Sequence, residues 1–168
     1  MRRGYTFYSR SAGVEVMLAE RQKRGLKVGA VRLRFFPLES GSKNIVVWLT
    51  PEEALKLSRM IFFARGTSSA SSYRALYHTA GEHHTSVSVD VFVRDGKRGL
   101  GLTAVRRGGR EEWKILVALT EEQAELMHLL LRELAVAACY EYEEDRRGVL
   151  EDYFDEGSYF SFRGGGAR

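Results

Sequence analysis

The chain lacks most of the features by which a sequence announces catalysis, export or membrane residence. A single cysteine, Cys139, among 168 residues leaves no internal disulfide to form, as expected in a reducing interior. It lies in an apolar, helix-periodic stretch with no histidine nearby, the setting of a core residue rather than a nucleophile. No apolar run approaches the ~20 residues that span a bilayer. The opening MRRGYTFYSR has basic residues but no apolar signal segment. A cytoplasmic protein without a membrane partner is expected, nucleoid-associated if it binds DNA. His78, His83, His84 and His128 do not fall at zinc-ligand spacing, and the adjacent pair would point to opposite faces of a strand. No glycine loop has the strand–loop–helix context of a phosphate cradle, and Asp90 has no second carboxylate beside it on its strand. The expectation is no enzyme, no cofactor and no metal. Asn44 is the lone asparagine, glutamine occurs twice and 29% of residues are charged. That depletion of thermolabile amides resembles thermophile proteins.

What is abundant is positive charge, unevenly spread. The net charge is +4, yet residues 141–156 hold eight acids against Arg146 and Arg147. The preceding 140 residues are strongly basic, and arginine far outnumbers lysine. A basic body before an acidic segment points to a polyanion partner, and arginine's planar fork suits phosphate and base contacts. A GC-rich genome would give the same arginine bias, so composition alone does not decide. The 44% hydrophobic content suffices for an ordinary core.

Periodicity divides the chain into elements. Strands are expected at 5–9, 27–36 and 45–49, and a modest helix at 12–24 with Val14, Met17, Leu18 and Arg21 on one side and Gly25 as its stop. Thr50-Pro51-Glu52-Glu53 opens a helix through a capping box, with Pro51 at the first helical position. RGTSSASS at 65–72 reads as a linker, followed by helical or irregular structure around Tyr73–His78. Strands follow at 85–94, 98–107 and 112–119, joined by turns at Asp95-Gly96 and Gly108-Gly109. Thr120-Glu121-Glu122-Gln123 then opens a long helix to about Arg147. At an offset of 70 residues, Ile45, Val47, Leu49, Thr50, Glu52 and Ala54 match Ile115, Val117, Leu119, Thr120, Glu122 and Ala124. Two unequal copies of one unit are the favoured reading; convergence of two capped junctions is the alternative.

The expected fold is α+β: an antiparallel, meander-like curved sheet with helices on one face, two similar strand-to-helix halves and a long C-terminal helix. A single domain at 1–147 would comprise halves at about 1–64 and 84–147 with a Ser-rich crossover at 65–83. Residues 148–168 form an acidic and aromatic tail that adds a strand, masks the helix or competes with nucleic acid for the basic face. Alternation gives the helices the side carrying Val31, Leu33, Phe35, Ile45, Val47 and Leu49. The other side receives Arg32, Arg34, Phe36 and Trp48. In the second half that side receives Phe92, Arg94, Arg107 and Lys114, with Lys97 and Arg98 at a hairpin tip. Tyr5 and Phe7, near Arg2 and Arg3, form a second aromatic–basic wall or an edge strand. Arginines with spaced aromatics suit single-stranded nucleic acid, whose phosphates meet cations and whose bases stack on rings. An ordinary solvated face is the competing reading. The long helix is apolar on more than one side, so a homo-oligomer through the region of Met127, Leu131 and Leu134 is expected.

The stretches IVVWLTPEEALKLSRMI and ILVALTEEQAELMHLLL, with the basic-aromatic strands and the strict meander between them, resemble the thermophilic archaeal single-stranded DNA-binding proteins called ThermoDBP. The resemblance covers roughly 5–145 and rests on architecture and composition. It implies a non-OB fold, a curved sheet packed on helices, a cleft admitting bases between aromatic and apolar side chains, and oligomers built through the C-terminal helix. The separate copies and the long linker also resemble Whirly-like strand-repeat proteins, which implies single-strand binding too. The expected function is non-catalytic, largely sequence-independent binding of single-stranded DNA. RNA binding, or a protein-interaction module assembling through the long helix, is the alternative.

Overall fold

The structure, a computed structural model, describes residues 4–23 and 25–156. Four strands, β1 (Gly4–Tyr8), β2 (Ala12–Lys23), β3 (Leu26–Pro37) and β4 (Ile45–Leu49), precede α1 (Pro51–Arg65). Four more, β5 (Ser71–Ala80), β6 (His83–Arg94), β7 (Lys97–Gly108) and β8 (Glu111–Leu119), precede α2 (Glu121–Glu156). Each set forms its own antiparallel sheet in sequential order. The α+β fold, the two strand-to-helix halves and the long last helix are as expected, but the meander is doubled into two sheets.

Two expected elements are corrected. Residues 12–23 are a strand, not a helix: β2 pairs along its whole length with β3 and also carries β1. Val14 and Val16 are fully buried while Glu15 and Met17 face the other way. Gly25, with φ of 83°, lies between β2 and β3 rather than ending a helix. Residues 71–80 are strand β5 rather than helical or irregular, so the crossover is short and both halves have four strands. The helix α2 also passes Arg147 and runs to Glu156. The last part of the expected tail, 157–168, lies outside the described residues.

Local chemistry explains the junctions. Thr50 Oγ1 accepts from the Glu53 N–H, and Glu53 accepts from the Thr50 N–H, the reciprocal capping box with Pro51 behind it. Thr120 and Gln123 repeat it at α2, at 3.0 and 3.1 Å. Between β6 and β7, Asp95 and Gly96 take φ of 52° and 71°, as a tight hairpin of this kind requires.

The repeat is real in topology but slips by one residue. Leu49 and Leu119 agree at the expected offset; their cross-strand partners are Val31 and Leu100. Val31 therefore corresponds to Leu100, not to Gly101. A one-residue shift in a strand exchanges its faces, so the offset of 70 that aligns β4 with β8 does not extend to β3 and β7.

The helices are exchanged between the halves. Helix α1 packs on β5 and β6 of the second sheet, and α2 mainly on β3 and β2 of the first. They also pack on each other, where buried Ser58 Oγ lies 2.9 Å from the His128 carbonyl and His128 Nδ1 lies 3.0 Å from the Ser58 carbonyl. Both contacts are satisfied when Nδ1 carries the proton. One core results, drawing Leu33, Ile45 and Val47 together with Val89, Leu102 and Val117 and with Leu57, Ile61, Met127 and Leu131. Arg65 fastens the helices at the surface, 2.7 Å from Glu121 and 3.3 Å from Glu125. The hydrogen bond from Arg65 holds the Glu121 carboxyl below the usual carboxylate range. Among the described residues, no helix is long and apolar enough to cross a membrane.

Candidate nucleic-acid interface

The side of each sheet turned away from the core carries the polar half of the alternation. On the second sheet it forms a trough of about 700 Å³. Ser86, Ser88, Asp90 and Phe92 of β6 line its middle; Arg74 and Tyr77 of β5 stand on one side, and Arg107 of β7 and Lys114 of β8 on the other. Tyr77 stacks on His84 with centroids 5.8 Å apart and planes 15° apart, and the Arg74 guanidinium lies 5.7 Å from the Tyr77 centroid. Phe92 is 38% exposed, enough ring face for a base to stack on. Its ring lies across Gly99, where any Cβ would collide with it. Arg107 forms an ion pair with Glu112 but keeps a 68% exposed side chain.

A second cavity, about 480 Å³, opens where the β4 edge of the first sheet meets β5 and β6 of the second. Trp48 and Tyr77 supply its aromatic walls, and Arg21 and Arg106 its cations. His78 Nε2 is tied to Glu53 Oε1 at 2.7 Å at its margin. Tyr77 lines both cavities and so joins trough to cleft.

The first sheet's outer face is more occupied. Glu15 Oε2 lies 3.0 Å from Arg32 Nη2 and 3.3 Å from Arg34 Nε, so one carboxylate serves two guanidiniums. The Nε atoms of both arginines are buried without a hydrogen bond, the Arg34 contact to Glu15 being out of line. Only their outward nitrogens remain for a ligand. The Arg34 guanidinium lies 5.3 Å from the Phe36 centroid, and Tyr8 meets the same ring edge-on at 6.0 Å.

The structure thus brings Phe92, Arg107 and Lys114 into one trough, places Trp48 in the adjoining cleft, and groups Arg32, Arg34 and Phe36 on the other sheet. Arg94 and Lys97 face each other across the β6–β7 hairpin near the end of the trough. Three expected placements are corrected. β1 is an edge strand, one of the two readings for Tyr5 and Phe7, not an aromatic–basic wall, and it turns Phe7 fully into the core. Tyr5 shares its side of the strand and packs against it at 4.9 Å, so Tyr8 is the β1 aromatic on the outer face. Arg98 points to the helix side of β7, where its guanidinium donates to the carbonyls of Ala64 and Thr67 at the end of α1 and lies 3.4 Å from Glu121. It is a cap on that helix end, not a phosphate ligand. Arg21 and Glu15 also stand on the outer side of β2, a placement that a helix at 12–24 conceals. Arg74 and Tyr77, which the sequence offers as a segment closing over a bound strand or, by preference, as crossover packing, instead lie on β5 along the trough.

The oligomer expectation needs the same correction. Met127, Leu131 and Leu134 are buried against the chain's own sheets. Among the described side chains, the large apolar residues that α2 leaves exposed are Leu126, Leu129, Val136 and Tyr140, with Phe62 and Phe63 on α1.

No known family model and no curated protein matches the chain. Solved structures do. WHY1 from Arabidopsis thaliana superimposes with a TM-score of 0.59 at 12% identity, covering 99% of this chain and 98% of that one. WHY3 from the same plant gives 0.57 at 13%, covering 81% and 88%. The plant transcriptional regulator PBF-2 gives 0.58 at 15%, covering 98% and 91%. At such low identity the likeness is one of fold, and it extends over nearly the whole chain.

Proposed function

We propose that this chain is a non-catalytic, largely sequence-independent single-stranded DNA-binding protein. Its working surface is the trough on the second sheet and the adjoining cleft. The observation that carries the reading is the trough itself: a concave sheet face, uncovered among the described residues, with Arg74, Arg107 and Lys114 flanking the exposed rings of Tyr77 and Phe92. Phosphates would lie against those cations and against Arg94 and Lys97, with bases on Phe92, Tyr77 and Trp48. Arg32, Arg34 and Phe36 give a weaker extension. Stacking is worth about 1–3 kcal/mol per base and accepts every base, whereas a duplex hides its base faces. A fold shared with a protein described as a transcriptional regulator fits a nucleic-acid partner, as do the resemblances to ThermoDBP and Whirly-like proteins. The two halves act as one binding domain, since their exchanged helices share one core. The exposed apolar side of α2 joins copies of the chain, and Leu129→Glu is expected to lower the mass measured by light scattering while leaving the melting temperature nearly unchanged.

The deciding experiment is titration of labelled single-stranded DNA, duplex DNA and RNA at several salt concentrations. Preference for single-stranded DNA, with affinity falling steeply as salt rises, is expected. Tighter binding of RNA would move the reading to an RNA-binding protein; equal or absent binding of all three would defeat it.

A further inference from the structure

We infer that Asp90 reads bases, and that the trough selects guanine at one position of an otherwise tolerant site. The inference rests on the proposed single-strand binding. A carboxylate in the middle of a polyanion trough is at first sight misplaced, because it repels the phosphates that Arg74, Arg107 and Lys114 would attract. Its partners are not these cations. The Ser72 hydroxyl donates to Oδ1, and the Ser88 hydroxyl is shared between Oδ1 at 3.3 Å and Oδ2 at 3.2 Å. Among the described residues Asp90 forms no ion pair. An ionised carboxylate has about four acceptor positions. Two hydroxyls fill part of that capacity and fix the group's orientation, leaving the rest facing the trough.

The residues beside it are small or apolar. Across the ladder from Asp90 stands Gly101, and across from Phe92 stands Gly99. The next strand continues the row with Ala118. The Phe92 ring covers Gly99 and the Leu116 side chain reaches over Gly101, so the floor next to the carboxylate is apolar, with the Phe92 ring at its border. A base stacked on Phe92 would present its edge toward Asp90. In a single strand the Watson–Crick edge is free. Guanine alone offers two adjacent donors there, N1–H and N2–H2, to match two carboxylate oxygens. Cytosine and adenine offer one amino group beside an acceptor, and thymine a single N–H between two carbonyls that the carboxylate repels.

The test compares oligothymidylates carrying one central guanosine, one central inosine (which lacks the N2 amino group) or thymidine alone. The native chain should bind the guanosine strand about tenfold more tightly than the inosine strand, the scale of a good bidentate contact. Asp90→Ala should bring that ratio to about one, with its melting temperature measured to confirm folding. The native ratio involves no substitution, so it stands even where the variant folds poorly. A native ratio of about one, or a ratio that survives Asp90→Ala, overturns the inference while leaving the proposed function intact. Failure to bind any of the strands defeats the proposed function itself.

Discussion

The outer faces of the two sheets have the same ladder geometry and opposite occupancy. On the first sheet a cross-strand row runs Met17, Arg32, Trp48; on the second the corresponding row runs Asp90, Gly101, Ala118. One row along, Glu15, Arg34 and Val46 correspond to Ser88, Thr103 and Leu116. Large side chains fill the first floor, and Glu15 binds its two arginines to the sheet. On the second floor Phe92 and Leu116 lie over Gly99 and Gly101, leaving a low apolar surface with its cations at the sides. The comparison teaches that charge and aromatic content do not make a site by themselves. The positions opposite them decide whether a ligand has room.

Several changes would break or sharpen this contrast. The largest effect is expected from Arg74→Glu combined with Lys114→Glu. Single-strand affinity should fall well over tenfold at low salt, and the slope of log affinity against log salt should fall by about two. Reversing Arg32 and Arg34 instead should cost less; a greater cost would invert the assignment of the two faces. Phe92→Ala should cost about 1–3 kcal/mol of binding, the measured worth of one stack. Phe36→Ala should cost less than that, because Arg34 and Tyr8 already cover its ring. Fluorescence anisotropy reads both. Glu15→Gln should release Arg32 and Arg34 and tighten binding by up to about fivefold, the scale of an exposed ion pair. The smallest effect concerns the clasp between the halves. Glu121 has a folded-state pKa below its unfolded value, so its contribution is complete above the ordinary carboxylate range and disappears as pH falls through the depressed value. Glu121→Gln should cost under ~1 kcal/mol at neutral pH, since the Glu121 side chain is half exposed. Melting temperatures of variant and native chain should converge in acid.

Much of this architecture was legible in the chain. The alternation of β3, β4, β6, β7 and β8 and both capping boxes are local signals, and they placed the buried Ile, Val and Leu sets correctly. The failures were tertiary. In β2, Val14 and Val16 alternate, but the stretch then continues into Met17-Leu18-Ala19 and a charged run that also suits a helix. Pairing with β1 and β3 on both sides decides for the strand. In β5 the alternation breaks where the register shifts between Arg74 and Leu76, leaving only Ala75 and Leu76 buried. That edge strand carries Arg74 and Tyr77, so losing it concealed one wall of the trough. The helix period found Met127, Leu131 and Leu134 as a buried stripe but could not say that the chain's own sheets bury it. Proximity along the chain likewise made Phe7 and Arg98 look like surface contacts, when strand parity turns both inward.

The most direct test of the central claim is to crosslink oligothymidylate to the native chain with ultraviolet light and map the modified peptides by mass spectrometry. Adducts are expected on Tyr77, Phe92 and Trp48, along the trough and the cleft beside it. Adducts confined to the outer face of β1–β3, around Tyr8 and Phe36, would contradict the claim.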